Sequence, residues 1–368
     1  MAVLLAACSD GADSDSTNTP SAGGSSSVGG TTTAGQPGQA GSASGMPGMG
    51  GNSSSGGSAG TAGADAGGQA GAANNGTPMH RSVKALPTVR QEHAVVALAG
   101  EIYVIGGFTP SATSTCAAYN PLTDEWRDIK EFPAILHHPN AAVVGGKLYV
   151  AGFHLGSTLT DGDARVFEYD PALDDWAPKT SMASERGTAC VAVLDDIIYL
   201  FGGAGATTVS DSSAYDPGMD AWEDLPPLPE PREHCVAAGI AGKVYIAAGR
   251  SGSIEGFQPT TWAYDPVARE YREREPIPTP RGGVAGAVLG GRLFVFGGEG
   301  NEANQPDRVF AAVEAYDPGT NAWQGYPDML VPRHGLGAAV LNDRIYLPGG
   351  ATARGFGPTD AHTEVYLE

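Results

Sequence analysis

A short motif that recurs six times between residues 103 and 350 most constrains how this chain can fold. In each copy an aromatic residue opens an apolar run, and a doublet of small residues closes it. The second residue of the doublet recurs at intervals of 45, 51, 46, 49 and 52 residues. Such a period indicates copies of one supersecondary unit packed against their neighbours. The doublets are Gly106-Gly107, Ala151-Gly152, Gly202-Gly203, Ala248-Gly249, Gly297-Gly298 and Gly349-Gly350.

Two further features keep a fixed spacing from the doublet. An arginine stands 17 residues before its second residue in five copies, and the second copy has Ile135 there. A tyrosine follows each of the first five doublets, and another aromatic residue comes seven positions after that tyrosine. The arginines are Arg90, Arg186, Arg232, Arg281 and Arg333. The aromatic pairs are Tyr119 with Trp126, Tyr169 with Trp176, Tyr215 with Trp222, Tyr264 with Tyr271 and Tyr316 with Trp323.

One repeat contains four short strands, a to d in chain order. Residues 94–98 and 102–105 are apolar and are joined by a tight turn, which predicts a buried hairpin of inner strands. Residues 118–119 and 125–126 flank a turn with Pro and Asp, which predicts the outer strands c and d. The tyrosine and tryptophan side chains are expected to act as wedges between neighbouring sheets.

The order of arginine, small doublet, tyrosine and tryptophan resembles the Kelch repeat, from Arg81 to the C-terminus. The resemblance implies an all-β, six-bladed β-propeller with four strands per blade. Alanine replaces the first glycine in the second and fourth copies, Tyr271 replaces a tryptophan, and Ile135 replaces the arginine. The last copy ends at strand c, so we expect residues near 81–85 to supply the missing strand d and close the ring.

The first 79 residues have a different composition. They contain no Phe, Tyr, Trp, Lys or Arg, and residues 9–79 consist mostly of Gly, Ser, Ala and Thr. Such a segment cannot bury enough apolar surface to offset its ordering entropy, so we predict a flexible linker. The predicted organisation is therefore a signal remnant at 1–8, a linker at 9–79 and a propeller at 80–368.

The first eight residues end in Leu-Ala-Ala-Cys8 and resemble the lipobox of a bacterial lipoprotein signal peptide. The resemblance implies lipidation of Cys8 and export to the bacterial cell envelope, at the outer membrane or the cell surface. A basic n-region is absent and the apolar stretch is short, so we expect the true start to lie upstream. The alternative is a chance Leu-Ala-Ala-Cys sequence at the start of the linker.

Charge and cysteine usage exclude several function classes. The net charge is −20, which argues against nucleic-acid binding and against electrostatic attachment to anionic lipid, so a membrane contact is expected only through the lipid anchor. Cys116, Cys190 and Cys235 form no CxxC pair and no metal-like cluster. Repeat register places Cys190 and Cys235 in inner strands of neighbouring blades, where we expect buried free thiols, with a disulfide as the alternative. We predict no cofactor, no metal and a monomer.

A binding site is expected on one face of the ring. The a–b and c–d turns are short and similar between copies, whereas the b–c loops differ in length and sequence. Function concentrates on variable loops held by a rigid frame, so we place any site on the face formed by the d–a and b–c connections. In Kelch propellers that bind peptides, the position two residues after the repeat arginine commonly contacts the ligand. The candidate ligand-binding residues are Glu92, His137 and His234 from that position and His154, Glu299 and Arg354 from the loops.

Two functions fit these residues. The absence of nucleophile, zinc-protease, phosphate-loop and dinucleotide motifs favours a binding module for a protein or a glycan, with no catalytic residue. The alternative is a carbohydrate-active enzyme similar to the six-bladed sialic-acid mutarotases, which need only an acid and a base. His137 and the adjacent His138 could bind a metal, although such a pair is more often one buried and one exposed histidine.

Overall fold

The computed structural model describes residues 78–253, 256–300 and 308–367, and in these residues the chain forms a six-bladed β-propeller. Each blade is an antiparallel sheet of four strands, as the repeat predicts. Within the described ranges no helix is long and apolar enough to cross a membrane. The predicted lipobox with Cys8 lies outside the described residues, and so does the predicted linker except for its last two residues.

The strands follow the repeat in chain order. Blade 1 consists of β2 (Ala94–Leu98), β3 (Glu101–Ile105), β4 (Cys116–Asn120) and β5 (Glu125–Ile129). Blade 2 consists of β6 (Ala141–Val144), β7 (Lys147–His154), β8 (Gly162–Asp170) and β9 (Asp175–Lys179). Blade 3 consists of β10 (Cys190–Leu194), β11 (Ile197–Phe201), β12 (Ser212–Asp216) and β13 (Ala221–Leu225). Blade 4 consists of β14 (Val236–Ile240), β15 (Lys243–Ala247), β16 (Thr261–Asp265) and β17 (Glu270–Arg274). Blade 5 consists of β18 (Ala285–Leu289), β19 (Arg292–Phe296), β20 (Val313–Asp317) and β21 (Ala322–Tyr326). Blade 6 consists of β22 (Ala339–Leu341), β23 (Arg344–Pro348), β24 (His362–Leu367) and β1 (Pro78–Ser82).

The ends of the chain close the ring within blade 6. Strand β1 pairs antiparallel with β24, with His80 opposite Val365. Strand β1 begins three residues before the segment 81–85 that was predicted to supply strand d. It occupies the strand d position of blade 6, as predicted. Arg81 donates from Nε to the buried Glu364 carboxylate at 2.9 Å and ties the two strands together by their side chains.

The repeat tyrosines fix the c–d turns to the preceding blade. In blade 1 the Tyr119 hydroxyl donates to Asp124 at 2.7 Å, and Asp124 accepts the Lys84 backbone N–H at 2.9 Å. The same arrangement recurs in blades 2, 3 and 5. Each of these turns is thereby held against strand d of the neighbouring blade.

The tryptophans bind the same neighbouring segment through their indole N–H. Trp126 donates from Nε1 to the Lys84 carbonyl at 3.1 Å. The three other tryptophans at the repeat position donate in the same way to a carbonyl of the preceding blade: Trp176 to Lys130 at 3.1 Å, Trp222 to Thr180 at 2.8 Å and Trp323 to Glu275 at 2.8 Å.

The repeat tyrosines and tryptophans differ in how deeply they are buried between neighbouring blades. The five repeat tyrosines are fully buried, at 0–1% exposure, and Trp176 is buried at 9%. In contrast, Trp126, Trp222 and Trp323 are only partly buried. These tryptophans lie on strand d, the outermost strand of the blade, where one edge of the indole meets solvent. Trp176 lies on the same strand of blade 2, but Phe132 packs against its indole with ring centroids 4.9 Å apart.

The repeat arginines are buried and hold the backbone where strand b ends. Arg90 donates to the carbonyls of Gly106 and Thr115, each at 2.7 Å. Arg333 is fully buried and donates to the carbonyls of its own blade. Five donors in a rigid fork suit this task, because buried carbonyls left without a partner are costly.

Blade 2 departs by one residue from the register predicted from sequence. Leu136 occupies the arginine place rather than Ile135, because its carbonyl accepts the N–H of Gly107 just as Arg232 accepts that of Gly203. The bulge between Ala151 and Phe153 has the same effect on β7, so the doublet of this blade is Gly152-Phe153. The predicted register was wrong because Gly152 follows another small residue, Ala151, and this pair has the composition expected of the doublet.

The cysteine prediction was wrong in its preferred form. Cys190 and Cys235 are joined by a disulfide, with Cα atoms 5.1 Å apart, and the bridge links blades 3 and 4 at their inner strands. Their equivalent repeat positions indicated that they are close, but two buried free thiols were expected. Cys116 is a buried free thiol in the outer strand β4.

Candidate functional site

A closed ring of backbone hydrogen bonds lies at the d–a connections. One residue of each blade takes part, and its N–H donates to the carbonyl of the equivalent residue in the preceding blade at 2.7–3.2 Å. All six have left-handed backbone, with φ between +49° and +63°. The ring residues are Glu92, His138, Thr188, His234, Gly283 and Gly335. Four of them are not glycine, and such strain is characteristic of functional sites.

A second set of positions surrounds the ring. In each blade the residue before the ring residue forms an isolated antiparallel bridge with the residue that follows the small doublet. The bridged pairs are Gln91 with Phe108, His137 with His154, Gly187 with Ala204, Glu233 with Arg250, Gly282 with Glu299 and His334 with Ala351. We call these twelve positions and the six ring positions the mouth positions.

Five of the six predicted ligand-binding residues occupy mouth positions, which brings them together from five different strand connections. They are Glu92, His137, His154, His234 and Glu299. The sixth, Arg354, lies on the b–c loop of blade 6, beside Gly355, whose N–H donates to Glu299 Oε2 at 3.2 Å. In blade 2 the ring position predicted for His137 belongs to His138, because of the one-residue shift.

Sequence reasoning missed three ionisable mouth residues, Glu233, Arg250 and His334, and considered His138 only as a neighbour of His137. The sequence does contain a signal for them. The position directly after the repeat arginine and the position directly after the doublet exist in every copy, and in several copies they hold an ionisable residue.

Glu92 points toward histidines of the two neighbouring blades, blades 2 and 6. Its Oε2 lies 3.1 Å from His138 Nε2, and its Oε1 lies 3.7 Å from His334 Nδ1. Gly335 makes room for this carboxylate, because a β-carbon there would lie 2.3 Å from Glu92 Oε1. Gly283 likewise lies beside the His334 ring. The two ring glycines therefore leave room for the side chains of Glu92 and His334.

A buried ion-pair network adjoins this group. Arg250 donates from Nε to Glu233 at 2.8 Å and from Nη1 to Glu299. Glu233 Oε2 also lies 3.3 Å from His234 Nδ1. Both carboxylates of the network therefore share one guanidinium.

Three aromatic rings stack beside His138. His137 stacks on Phe108 at 4.4 Å and on His154 at 5.5 Å between ring centroids. The Nδ1 atoms of His137 and His138 are 2.6 Å apart, which requires one of them to carry the proton and the other to accept it.

A cavity of about 100 Å³ opens between the ring and the starts of the inner strands. Its lining includes the side chains of Glu92, His138, Thr188 and His234, with Gly283 and Gly335 on the opposite side. A space of this size holds an ion with a few waters or the tip of one side chain, and not a whole sugar.

Known proteins share these features of repeat and fold. The Kelch motif matches residues 90–133, 185–229 and 280–330. The Kelch-like protein terF of Aspergillus terreus is 35% identical over 325 residues, which cover 79% of this chain and 69% of that protein. The chain belongs to the Kelch-repeat family.

Other relatives share the Kelch propeller over shorter stretches. Kelch-like protein 35 of mouse is 32% identical over 162 residues, which cover 44% of this chain and 27% of that protein. Human Kelch-like protein 23 is 29% identical over 163 residues, 44% of this chain and 28% of that protein. The solved structure of YjhT superposes with a TM-score of 0.65 at 14% identity and covers 76% of this chain and 95% of that one, which shows a shared fold. Kelch propellers are typically protein-interaction modules.

Burial sets the ionisation of the histidines in this Kelch propeller. Desolvation, together with neighbouring imidazoles, lowers the pKa of His137 to about 2 and that of His154 to about 3. Desolvation also lowers the pKa of His138, against the opposing effect of Glu92. These three side chains are therefore neutral near pH 7.

The pKa values of the mouth carboxylates are lowered as well, which favours their charged form. Burial alone would raise the pKa of Glu92, but His138, His234 and His334 outweigh it and hold that pKa well below its usual range. Burial opposes ionisation of Glu299 too, and His334 and Arg250 lower its pKa. The mouth of the Kelch propeller therefore carries ionised carboxylates near pH 7.

One subset of the mouth has the composition of a metal-ligand set. Glu92, His138 and His234 each place a ligand atom within 4.8 Å of the other two. The sequence predicts no metal here, because the three residues are 46 and 96 positions apart and only ring closure brings them together.

Proposed function

We propose that this Kelch propeller is a binding module that holds a protein partner on the face formed by its d–a and b–c connections. The observation that carries the proposal is the concentration of ionisable mouth residues on this face, where Arg250 pairs with Glu233 and Glu299, and Glu92 lies beside histidines. Its Kelch-like relatives favour an interaction module over the mutarotase alternative. A glycan ligand is the other outcome that the binding experiment below can return.

The two faces differ in what they offer a partner. The a–b turns are two-residue hairpins with left-handed backbone at both positions, such as Ala99-Gly100 and Asn342-Asp343. The opposite face carries the long b–c loops and exposed apolar side chains, including Ile135 at 56% and Phe356 at 46% exposure. A partner that covers these loops would also close the channel mouth.

We further propose that the propeller is exported and held at the bacterial envelope by a lipid on Cys8. The support is the Leu-Ala-Ala-Cys8 sequence and the disulfide between Cys190 and Cys235. Disulfides persist in oxidising compartments such as the periplasm and the cell surface. The long Gly- and Ser-rich segment that follows Cys8 would give such an anchored propeller reach.

The binding proposal is tested by capture with the full chain from an envelope extract of its own organism, followed by crosslinking mass spectrometry and a glycan array. The loop-face variant Ile135→Ser/Phe356→Ser should lose the partner. The matched control, Leu122→Ser/Val267→Ser, changes exposed apolar residues on the c–d turns of the other face and should retain it. Crosslinks confined to the c–d turns, or equal capture by both variants, would reject the loop face.

The anchor proposal is tested on protein purified from the membrane fraction of that organism. Mass spectrometry should find Cys8 as the first residue of the mature chain, carrying a diacylglycerol thioether. A mature chain that retains residues 1–7 with an unmodified thiol would contradict the anchor while leaving the binding proposal intact.

A further inference from the structure

We propose that Glu92, His138 and His234 form a binding site for a single divalent metal ion of the zinc type at the mouth of the channel. The three residues come from blades 1, 2 and 4 and meet only because the ring closes. Their side chains are 11%, 7% and 5% exposed, so the site is nearly buried but opens into the cavity beneath the ring.

The chemistry of the three ligands suits zinc. Two imidazoles and one carboxylate are a set that zinc proteins use when a fourth coordination position stays open for water or a substrate. The ligand atoms lie within 4.8 Å of one another, and Glu92 Oε2 is 3.1 Å from His138 Nε2, so small side-chain rotations would bring all three onto one ion. The cavity of about 100 Å³ provides room for the ion and its open position.

Both histidines have a second contact that orients the ring. A metal-ligating histidine usually bonds a carboxylate or another acceptor through its other nitrogen, which fixes the tautomer. His234 meets Glu233 through Nδ1 at 3.3 Å, and His138 meets His137 through Nδ1 at 2.6 Å. Nε2 is then the metal-facing nitrogen of each ring, with His138 Nε2 beside Glu92 and His234 Nε2 within 3.3 Å of Arg250 Nη2.

The backbone ring preorganises the site. All three residues have left-handed φ, between +49° and +52°, and their N–H and carbonyl groups are engaged in the closed hydrogen-bond ring. Little conformational freedom therefore remains to be lost on binding, which is the condition for a precise site on a rigid element.

The charge of the cluster favours a dication. Among the described residues Glu233 and Glu299 share the single guanidinium of Arg250, so the formal charge of this group of three side chains is −1. Glu92 itself makes its contacts within 4 Å with the imidazoles of His138 and His334 among the described residues. A divalent ion on Glu92 would offset the remaining negative charge, which is costly to bury without compensation. Protons on the histidines are the competing means of compensation.

The guanidinium of Arg250 opposes the binding of a cation here. Its Nη2 lies 3.3 Å from His234 Nε2. The ion pairs with Glu233 and Glu299 offset its charge, and rotation of the His234 ring toward Glu92 would lengthen the contact.

The test is titration of full-length, tag-free, chelator-treated protein with Zn²⁺ by calorimetry, and with Co²⁺ by visible absorption. One ion per chain and the absorption of a four-coordinate Co²⁺ site are expected. Glu92→Gln, His138→Gln and His234→Gln should each weaken binding by at least about tenfold, and Glu233→Gln, which removes an orienting contact, by about tenfold to a hundredfold.

The controls separate this site from other ligands and from unfolding. His80→Gln removes a histidine of strand β1, and Cys8→Ser removes a thiol of the N-terminal segment. Both variants should bind Zn²⁺ as the unmodified protein does. Thermal unfolding without metal shows which variants fold, and added Zn²⁺ should raise the midpoint of the unmodified protein but not that of the ligand variants. The proposal would be overturned if the unmodified protein did not bind Zn²⁺. It would also be overturned if the folded variants Glu92→Gln and His234→Gln bound Zn²⁺ as tightly as the unmodified protein.

Discussion

At the scale of single residues, burial decides which histidines of this Kelch propeller can take up a proton. His362 lies far from the channel mouth, packed against Tyr119 with ring centroids 4.5 Å apart, and its Nδ1 is 3.1 Å from the Lys84 carbonyl. Desolvation lowers its pKa to about 4, with a further lowering by Arg333 against the opposing effects of Lys84 and Asp124. The folded protein therefore keeps this imidazole neutral over a range where the unfolded chain is protonated.

We predict that His362 makes the protein less stable in mild acid. Its folded pKa lies below the unfolded value of 6.5, so the stability it provides is complete above pH 6.5 and is lost as the pH falls toward 4. The free energy of unfolding should fall by up to about 1.4 kcal/mol per pH unit from this group. His362→Gln should show a shallower fall between about pH 6.5 and 5 in urea titrations. Parallel curves for the two proteins would contradict the prediction, since the carboxylates contribute equally to both.

The repeat arginine is the second residue-scale feature with a measurable consequence. Arg333→Leu would leave the carbonyls of Leu347, Gly349 and Ala361, which now accept at 2.6–3.0 Å, without their donor. We expect a loss of about 3 kcal/mol or more in the free energy of unfolding, measured by urea denaturation. Arg272→Leu removes an arginine that is 70% exposed and should change stability by less than about 0.5 kcal/mol. Equal effects of the two variants would show that the buried bonds contribute little.

At the scale of elements, the disulfide joins the start of β10 to the residue before β14, 45 positions further along the chain. It holds blades 3 and 4 together next to the ring residue His234. The same two blades also share an apolar core cluster, to which Leu194 of β10 and Ile246 of β15 both belong. A covalent link at this point limits how far the two blades can separate.

We predict that Cys190→Ala/Cys235→Ala lowers the free energy of unfolding by about 2–4 kcal/mol, because the bridge restricts the unfolded chain. A thiol reductant under denaturing conditions should lower the stability of the unmodified protein to that of the double variant. The same reductant should leave the double variant unchanged. A reductant effect of equal size in both proteins would place the sensitive group elsewhere.

At the scale of the whole molecule, stability depends on ring closure by β1. Its five residues pair with Thr363 to Leu367 of β24, and without them blade 6 would present an open edge. The closed backbone ring at the mouth depends on the same closure, since the Glu92 N–H donates to the Gly335 carbonyl of blade 6.

We predict that Met79→Pro/His80→Pro opens the molecule at this seam. Donors alternate along an antiparallel strand, so two adjacent prolines remove at least one ladder hydrogen bond and distort the strand. Hydrogen exchange should rise first in β24 and β23, and light scattering should detect association through the exposed edge.

The matched control for the seam is Leu122→Ser/Val267→Ser, which changes two exposed residues on c–d turns outside blade 6. It should change neither the exchange of β24 nor the light scattering. Uniform exchange throughout the ring of the proline variant would mean that β1 closure is not the weak point.

The sequence predicted blade number, strand order and the closing segment because each rests on a local pattern repeated six times. It failed in blade 2, where Gly152 occupies the first place of the doublet and not the second. Composition alone could not detect that shift, because the bulge in β7 is defined by hydrogen bonds.

The repeat spacing also could not distinguish how deeply each aromatic residue is buried. Tyr316 and Trp323 keep the same spacing as every other pair, yet the tyrosine is fully buried and the tryptophan is only partly so. Burial depends on which strand lies at the outer edge of a blade, and that is set by how the blades pack.

The sequence by itself determined the fold, since alternation of strands, tight turns and aromatic residues at a fixed spacing allows few closed arrangements. Only the tertiary structure decided the chemistry of the mouth. Glu92, His138 and His234 are distant in the chain and share no sequence motif. They come together because six residues with left-handed backbone form a closed ring of backbone hydrogen bonds. Proximity across a closed ring is a property of the whole assembly of blades, which no single repeat contains.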